Sequence, residues 1–503
     1  MTSIVQVAER LHSEAEAWDL KAYVLGALFY RFISEDLCDY LNREEREAGN
    51  IAFDYASLSD AEAEYGRQAT VEEKGYFLLP SQLFARVQAT ANSEENLNEI
   101  LNRTFASITS SARGTSSEHA FDGLFDSFDP NSQALGDTVA KRNQRLAKLL
   151  IDIGSHQMLD AAASFDELLR YYVTIAGKKG GDHFTPPSIA QLVARLAAAG
   201  NPAAGAIYDP AFGSGSLLIE CNKRLSDSAS SSRVLGQELV LTNFNMARMN
   251  LMLHGIGFDH FDLAGGASTL TDPTHASDEL FDIIVSNPKW SASWPGDKDP
   301  LLISDPRFAP AGVLAPKQYH DLGFTMHAAS QLAPGGIAVL VQSLGTLYRG
   351  KAEAKLRGYL VESNLVDTVI QLPPDWGYGV TVPGCVVVLR RAKRDDAILF
   401  IDASREFERV DSKNELLESH QRKILDAFLS RADIDHFSRL ATREEVQAEG
   451  FNLSVSNYVE PQSNAQTINI RLLNAEITGI VRTQTILREE IDAIVAELEG
   501  SDA

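Results

Sequence analysis

Between residues 206 and 402, short apolar and β-branched runs alternate with amphipathic segments. No other feature narrows the possible folds as much. The runs are 206–209, 233–238, 281–286, 335–342, 366–372, 384–390 and 398–402. Segments of helical period fall between several of them, notably 187–199, 214–224, 242–254, 321–332 and 351–363. Strands that alternate with helices pack as a parallel sheet with the helices on its faces. The pattern therefore predicts an α/β architecture, with strands opening at Gly335-Gly336 and Pro383-Gly384.

The flanks differ. Residues 1–165 read as an N-terminal all-helical domain. Trp18, Leu20, Tyr23, Val24, Ala27, Leu28, Tyr30 and Ile33 recur on one helix face, and 97–108 and 142–151 keep the same period. The polar stretch Thr109 to Glu118 reads as a loop. Residues 166–405 form the α/β domain, 406–460 a mixed helical extension, and 461–503 a C-terminal helical tail. That last helix, about 467–499, carries a long stripe of Ile, Leu and Val. The stripe suits either docking to a partner or packing on the chain's own N-terminal domain.

At 503 residues the chain is long enough for two or three domains, and 44% hydrophobic with 23% charged residues is a globular composition. No apolar run reaches the roughly 20 residues a membrane helix needs, and the N-terminus has no secretory signal pattern. Three widely spaced cysteines, Cys38, Cys221 and Cys385, give neither a disulfide framework nor a zinc pattern. A cytoplasmic location is expected. The net charge of −24 argues against tight unaided binding to a polyanion, unless a partner supplies phosphate contacts.

Two turns carry the chemistry. Asp209-Pro-Ala-Phe-Gly-Ser-Gly-Ser216 follows the first strand. Gly213 and Gly215 tolerate positive φ and let backbone approach a nucleoside cofactor. Ser214 and Ser216 offer hydroxyls beside a helix start with unpaired N–H groups. Asp209 is placed to meet the cofactor's amino-acid end. The next strand ends at Glu238, about twenty positions on, where a carboxylate accepts ribose hydroxyl protons. Upstream, Asp182, His183, Phe184, Thr185, Pro186 and Pro187 are expected beside the methionine end of the cofactor. Thr185 would serve as N-cap and Pro186 as first helical residue.

The second turn, Ser286-Asn-Pro-Lys-Trp290, follows the strand at 281–285. The carboxamide oxygen of Asn287 and the carbonyl of Pro288 can accept both protons of an exocyclic ring amine. Trp290 offers a face for stacking the base, worth on the order of 1–3 kcal/mol. Together the turns suggest methyl transfer from S-adenosylmethionine to a base amine, with the base everted from its duplex.

These residues give the chain its resemblance to a known family. It resembles the modification (M) subunit of type I restriction-modification systems, N6-adenine DNA methyltransferases. The likeness spans nearly the whole chain. It rests on Phe184-Thr-Pro186, Asp209-Pro-x-x-Gly-Ser-Gly215, Gly236-Gln-Glu238, Met249 to Gly255, Asn287-Pro288, Asp305 to Pro316, His327, Gly345 to Gly350 and Ile401 to Ser404. The resemblance implies a Rossmann-like class I S-adenosylmethionine methyltransferase domain, and catalysis by Asn287, Pro288 and Trp290. It also implies two M subunits on one specificity (S) subunit, an optional restriction subunit, and double-stranded DNA as substrate, without membrane association.

The sequence departs from the family pattern twice. Lys289 stands where proline is usual, so the loop gains freedom and a cation sits near a cationic donor, unless it faces a phosphate or an acidic neighbour. Gly266-Ala-Ser-Thr-Leu270 lacks the usual Asp or Asn beside the base pocket, leaving Ser268 as a weak substitute. The expected function is adenine N6 methylation. The alternative is a cofactor-binding scaffold of a DNA defence complex, impaired by Lys289. Cytosine N4 or a small-molecule acceptor is a further alternative. His183, His254, His320 and His327 read as structural, since no metal-ligand spacing supports them. Asp305 to Phe308 and Lys317 are placed either near the base pocket or DNA or in an ordinary loop, and Trp376 and Tyr378 either on the DNA face or in surface packing.

Overall fold

The computed structural model describes residues 3–12, 20–176, 184–201, 205–226, 232–275, 280–296, 299–377, 383–410, 413–461 and 470–500. The chain divides into two units, Met1–Val459 and Glu460–Ala503.

In the first unit, each predicted strand forms. The strands are β1 (Ala206–Asp209), β2 (Arg233–Glu238), β3 (Phe261–Gly265), β4 (Phe281–Ser286), β5 (Leu332–Ser343), β6 (Val366–Gln371), β7 (Gly384–Arg390), β8 (Ile398–Asp402), β9 (Glu408–Val410), β10 (Lys413–Glu415) and β11 (Ser438–Ala441). Nine of them make one sheet in the order β11-β8-β6-β7-β5-β4-β1-β2-β3.

Side chains alternate across this sheet with period two. Ile207, Ile283 and Val285 enter the core on one face, and Tyr208 and Ile284 enter the core on the other. Helices Pro187–Gly200, Ser216–Ser226 and Leu241–Leu253 cover the first face, and Asp321–Gln331 and Ala352–Glu362 the second. With both faces covered, the central strands are buried apolar runs, which is why they stood out in the sequence.

The parallel sheet expected from the alternation needs one correction. β7 runs antiparallel to both β5 and β6, and β11 antiparallel to β8. β6 and β7 are neighbours with no helix between them among the described residues, and neighbours joined that way pair antiparallel. β3 and β11 went unpredicted because they are short edge strands, partly polar, and half open to solvent.

The N-terminal region is helical. The 27-residue helix Lys21–Glu47 buries Tyr23, Val24, Leu28, Phe29 and Tyr30. The loop expected from Thr109 is corrected too, because Leu97–Ala112 stays helical through Ala112. Ser110 and Ser111 return their hydroxyls to the carbonyls of Ser107 and Ile108, so these polar residues do not end the helix. Arg248, 1% exposed, ties this region to the α/β sheet by donating to the carbonyls of His119 and Asp122.

In the second unit, Ile470–Gly500 is one helix. Ile477, Ile480, Val481, Ile486, Leu487, Ile491, Ile494 and Val495 are exposed along it. Ile468, expected at its start, lies outside the described residues.

A candidate active site at three strand ends

β4, β1 and β2 are neighbours and run the same way, so Ser286, Asp209 and Glu238 open on one edge of the sheet. Ligands of open α/β sheets bind at such carboxyl ends. A cleft of about 340 Å³ lies there, within the range of small-molecule sites. Its walls include Thr185, Asp209, Gly213, Ser214, Ser216, Glu238, Asn287 and Pro288. Sequence reasoning had named all of these.

The glycine turn is held from three sides. Gly213 and Gly215 have φ of 56° and 79°. A Cβ on Gly215 would lie 2.8 Å from Leu251 Cδ1, and one on Gly236 would lie 2.6 Å from the Phe212 ring. Asn250 Nδ2 donates to the Ser214 carbonyl at 2.9 Å. Glu238 accepts the Gly213 N–H at 3.0 Å and the Val240 N–H at 2.9 Å. Its carboxylate thus locks the turn to the end of β2. Those two bonds leave further lone pairs for a ligand. Burial raises its pKa above the usual carboxylate range, against the pull of these N–H donors.

Asp209 is 1% exposed. Its Oδ1 accepts the Ala211 N–H at 2.9 Å and the Ser286 hydroxyl at 2.8 Å. Its Oδ2 is buried with no hydrogen-bond partner. Burial, with a smaller push from the Glu238 charge, raises Asp209 to about 7. A buried, unpaired carboxylate oxygen at the cleft wall fits an incoming ammonium group.

Thr185 does not cap a helix. The helix starts at Pro187, with Pro186 at the cap position and no side-chain cap. The Thr185 hydroxyl accepts Asn287 Nδ2 at 3.0 Å instead. This bond secures the amide nitrogen and leaves the Asn287 oxygen as the acceptor.

The family model described as "N-6 DNA Methylase" matches residues 160–467, and one described as "HsdM N-terminal domain" matches residues 2–153. The chain is 36% identical to the type I restriction enzyme MpnII methylase subunit of Mycoplasma pneumoniae, covering 99% of this chain and 95% of that protein. The crystal structure of a type I restriction-modification methyltransferase subunit from Streptococcus thermophilus superposes with a TM-score of 0.82 at 30% identity. That match covers 91% of this chain and 98% of that one. The chain belongs to the type I restriction-modification methylase subunit family. A second solved structure, from work on assembly of the type I system, shares the fold with a TM-score of 0.64 at 17% identity, covering 98% and 97% of the two chains.

This methylase-family site differs from expectation at its aromatic wall. Trp290 is not among the cleft's lining residues. Its ring lies 5.5 Å from Trp376 and against Gly384, where a Cβ would sit 2.5 Å from the indole. Trp294 and Phe324 line the cleft instead. Trp294 donates Nε1–H to the Pro316 carbonyl at 3.2 Å and is 6% exposed. No periodicity marks Trp294 in the irregular run around it, so sequence reasoning missed it. Phe184, Pro186, Pro187 and Gly215 also lie off the cleft lining. Asp182, His183 and Tyr378 fall outside the described residues.

The second departure, around Ser268, has an unexpected support. Arg307, buried, donates to the carbonyls of Thr269 and Leu270 at 2.7 and 2.9 Å and pairs with Asp305 at 2.6 Å. Thr269 in turn donates to the Pro210 carbonyl at 2.6 Å. His327 sits between Arg307 and the Tyr208 hydroxyl, 3.1 Å from each. Burial and the neighbouring guanidinium lower its pKa to about 3, so it is a neutral structural group. Among the described residues, no cluster of His, Cys, Asp and Glu is arranged to hold a metal.

Lys289 is exposed at the cleft, and its loop is braced. His320 Nε2–H donates to the Lys289 carbonyl at 2.6 Å, Ser291 N–H to Asp321 Oδ2 at 3.0 Å, and His320 N–H to the Ala292 carbonyl at 3.1 Å. These bonds supply the stiffness that lysine lacks beside proline.

Proposed function

We propose that this chain transfers a methyl group from S-adenosylmethionine to N6 of an adenine turned out of duplex DNA. The observation that carries the reading is Asn287. Its amide nitrogen is held by Thr185, and it shares one cleft with the glycine turn, Asp209 and Glu238.

When bound, S-adenosylmethionine supplies an electrophilic methyl carbon. Glu238 would accept ribose hydroxyls on the lone pairs left by its two backbone donors. Asp209 Oδ2 would accept from the amino group, and Ser214 and Ser216 would hydrogen-bond around the same end. The Asn287 oxygen and Pro288 carbonyl accept the two amine hydrogens of adenine, favouring a more pyramidal nitrogen. Held by these two acceptors, the nitrogen would turn its lone pair toward the methyl group that the bound cofactor would supply, and would give up its surplus proton to water. Orientation in a fixed cleft drives the reaction more than acid–base catalysis does. Trp294 and Phe324 take the stacking role first assigned to Trp290.

Partners follow from the same reading. The net charge of −24 leaves much of the phosphate contact to a specificity subunit. The exposed apolar stripe of Ile470–Gly500 fits helix docking in an assembly of two such chains, one specificity subunit and an optional restriction subunit. Among the described residues no helix is long and apolar enough to cross a membrane. A cytoplasmic location is part of the proposal.

The test is nucleoside mass spectrometry of host DNA from strains with and without the chain. N6-methyladenine that disappears with the chain supports the proposal. N4-methylcytosine in its place, or no change in either, opposes it.

A further inference from the structure

The cleft wall holds two buried carboxyl groups, Asp209 and Glu238, while Lys289 is the sole Lys or Arg among the described residues that line it. Lys289 is exposed, and it lies two residues from Asn287, a reach of at most about 7 Å of chain. A base that enters the cleft leaves its sugar and phosphates at the mouth.

Two further basic residues are tied to the segment that follows Lys289. Lys317 is exposed, and its carbonyl accepts the Trp294 N–H at 3.0 Å, which ties it to the cleft wall. Arg349 lies 4.0 Å over the Tyr319 ring, donates to the Ser291 hydroxyl at 3.4 Å, and pairs with Glu353 at 3.3 Å. Arg349 therefore acts as a strut between the Ser291 loop and Tyr319, its charge paired with Glu353. His320 and Asp321 hold the backbone from Lys289 to Ala292 in place.

We infer that Lys289 and Lys317 form a basic lip that grips the DNA backbone beside the everted nucleotide. The inference rests on the proposed DNA methylation and gives Lys289 a substrate role. Each phosphate contact releases condensed counterions, so each lysine adds about 0.9 to the log–log dependence of binding on salt.

The experiment uses the full chain purified with the subunits that accompany it, and a labelled mixed-sequence duplex as probe. Binding is titrated from about 50 to about 200 mM salt. Lys289→Ala should flatten the slope by about 0.9, and the Lys289→Ala, Lys317→Ala pair by about 1.8. Lys289→Arg should keep the wild-type slope. So should Arg394→Ala, which removes an exposed cation beyond the end of β7, at the opposite edge of the sheet. S-adenosylhomocysteine affinity should match wild type in Lys317→Ala, a residue off the cleft lining, and Lys289→Arg should keep measurable affinity. An unchanged slope in Lys289→Ala while wild type still methylates DNA overturns the lip alone. A wild-type complex that binds neither duplex nor S-adenosylhomocysteine overturns the lip and the proposed function together.

Discussion

Thr185 and Asn287, 102 residues apart, meet at 3.0 Å with the threonine hydroxyl accepting the amide N–H. The bond fixes which end of the carboxamide faces the cleft. Thr185→Val removes the acceptor and lets the amide rotate. A neutral hydrogen bond is worth about 1 kcal/mol and its loss at a buried site more, so kcat should fall about tenfold. Thr185→Ser should restore it. Single-turnover methylation of the three proteins checks this.

The carboxyl of Asp209 predicts a pH effect. Its folded pKa, about 7, lies above the unfolded value near 3.9. Its contribution to stability is therefore complete below pH ~4 and is lost as pH rises through about 7. A bound ammonium group favours the ionised form, so ligand binding near pH 6 should release protons. Calorimetry of S-adenosylhomocysteine binding in buffers of different ionisation enthalpy reads this release. Asp209→Asn should abolish it, and an equal release in that variant would exclude Asp209 as the source.

Glu238 holds the turn, and under the proposed function it would hold the ligand too. Glu238→Gln keeps its shape but loses charge from two N–H acceptor contacts. Hydrogen bonds to charged groups are worth about 1.5–3 kcal/mol, so affinity for S-adenosylhomocysteine should drop at least tenfold. The melting temperature should fall with it, since Gly213 and Val240 lose the same partner.

The order in which these features became visible has a physical cause. The glycine turn and Asn287-Pro288 are local signals, because the residues that make the chemistry are adjacent in sequence. Buried on both faces, the central strands were equally plain. Thr185 looked like a helix cap because only its neighbours were visible, whereas its partner, Asn287, comes from the turn after β4. The reversal of β7 depends on how β6 pairs across the sheet, and the runs themselves carry no direction. Arg307 gave no sign of burial, since its partners Thr269, Leu270 and His327 come from separate segments.

Arg307 should matter for stability before activity. Arg307→Met leaves Asp305 and two carbonyls without their donor. Arg307 is buried but Asp305 is only half-buried and keeps the Arg307 backbone N–H, so the loss should be about 1–3 kcal/mol, readable as a lower urea midpoint. A midpoint within error of wild type would show that the clamp is redundant.

The two tryptophans separate by fluorescence. With 2-aminopurine at the target position, Trp294→Ala should lose the stacking signal of the bound base. Trp290→Ala should keep most of it, since that ring packs on Trp376. The opposite outcome would return the stacking role to Trp290.

The most direct measurement compares wild type and Asn287→Ala for both single-turnover methyl transfer to duplex DNA and S-adenosylhomocysteine affinity. Removing a group that acts on the reacting atoms costs about 10²–10³ in rate. Transfer should fall by at least about 10² while affinity changes less than about threefold. Transfer that persists in Asn287→Ala, or a rate that falls only as far as affinity does, would contradict the account.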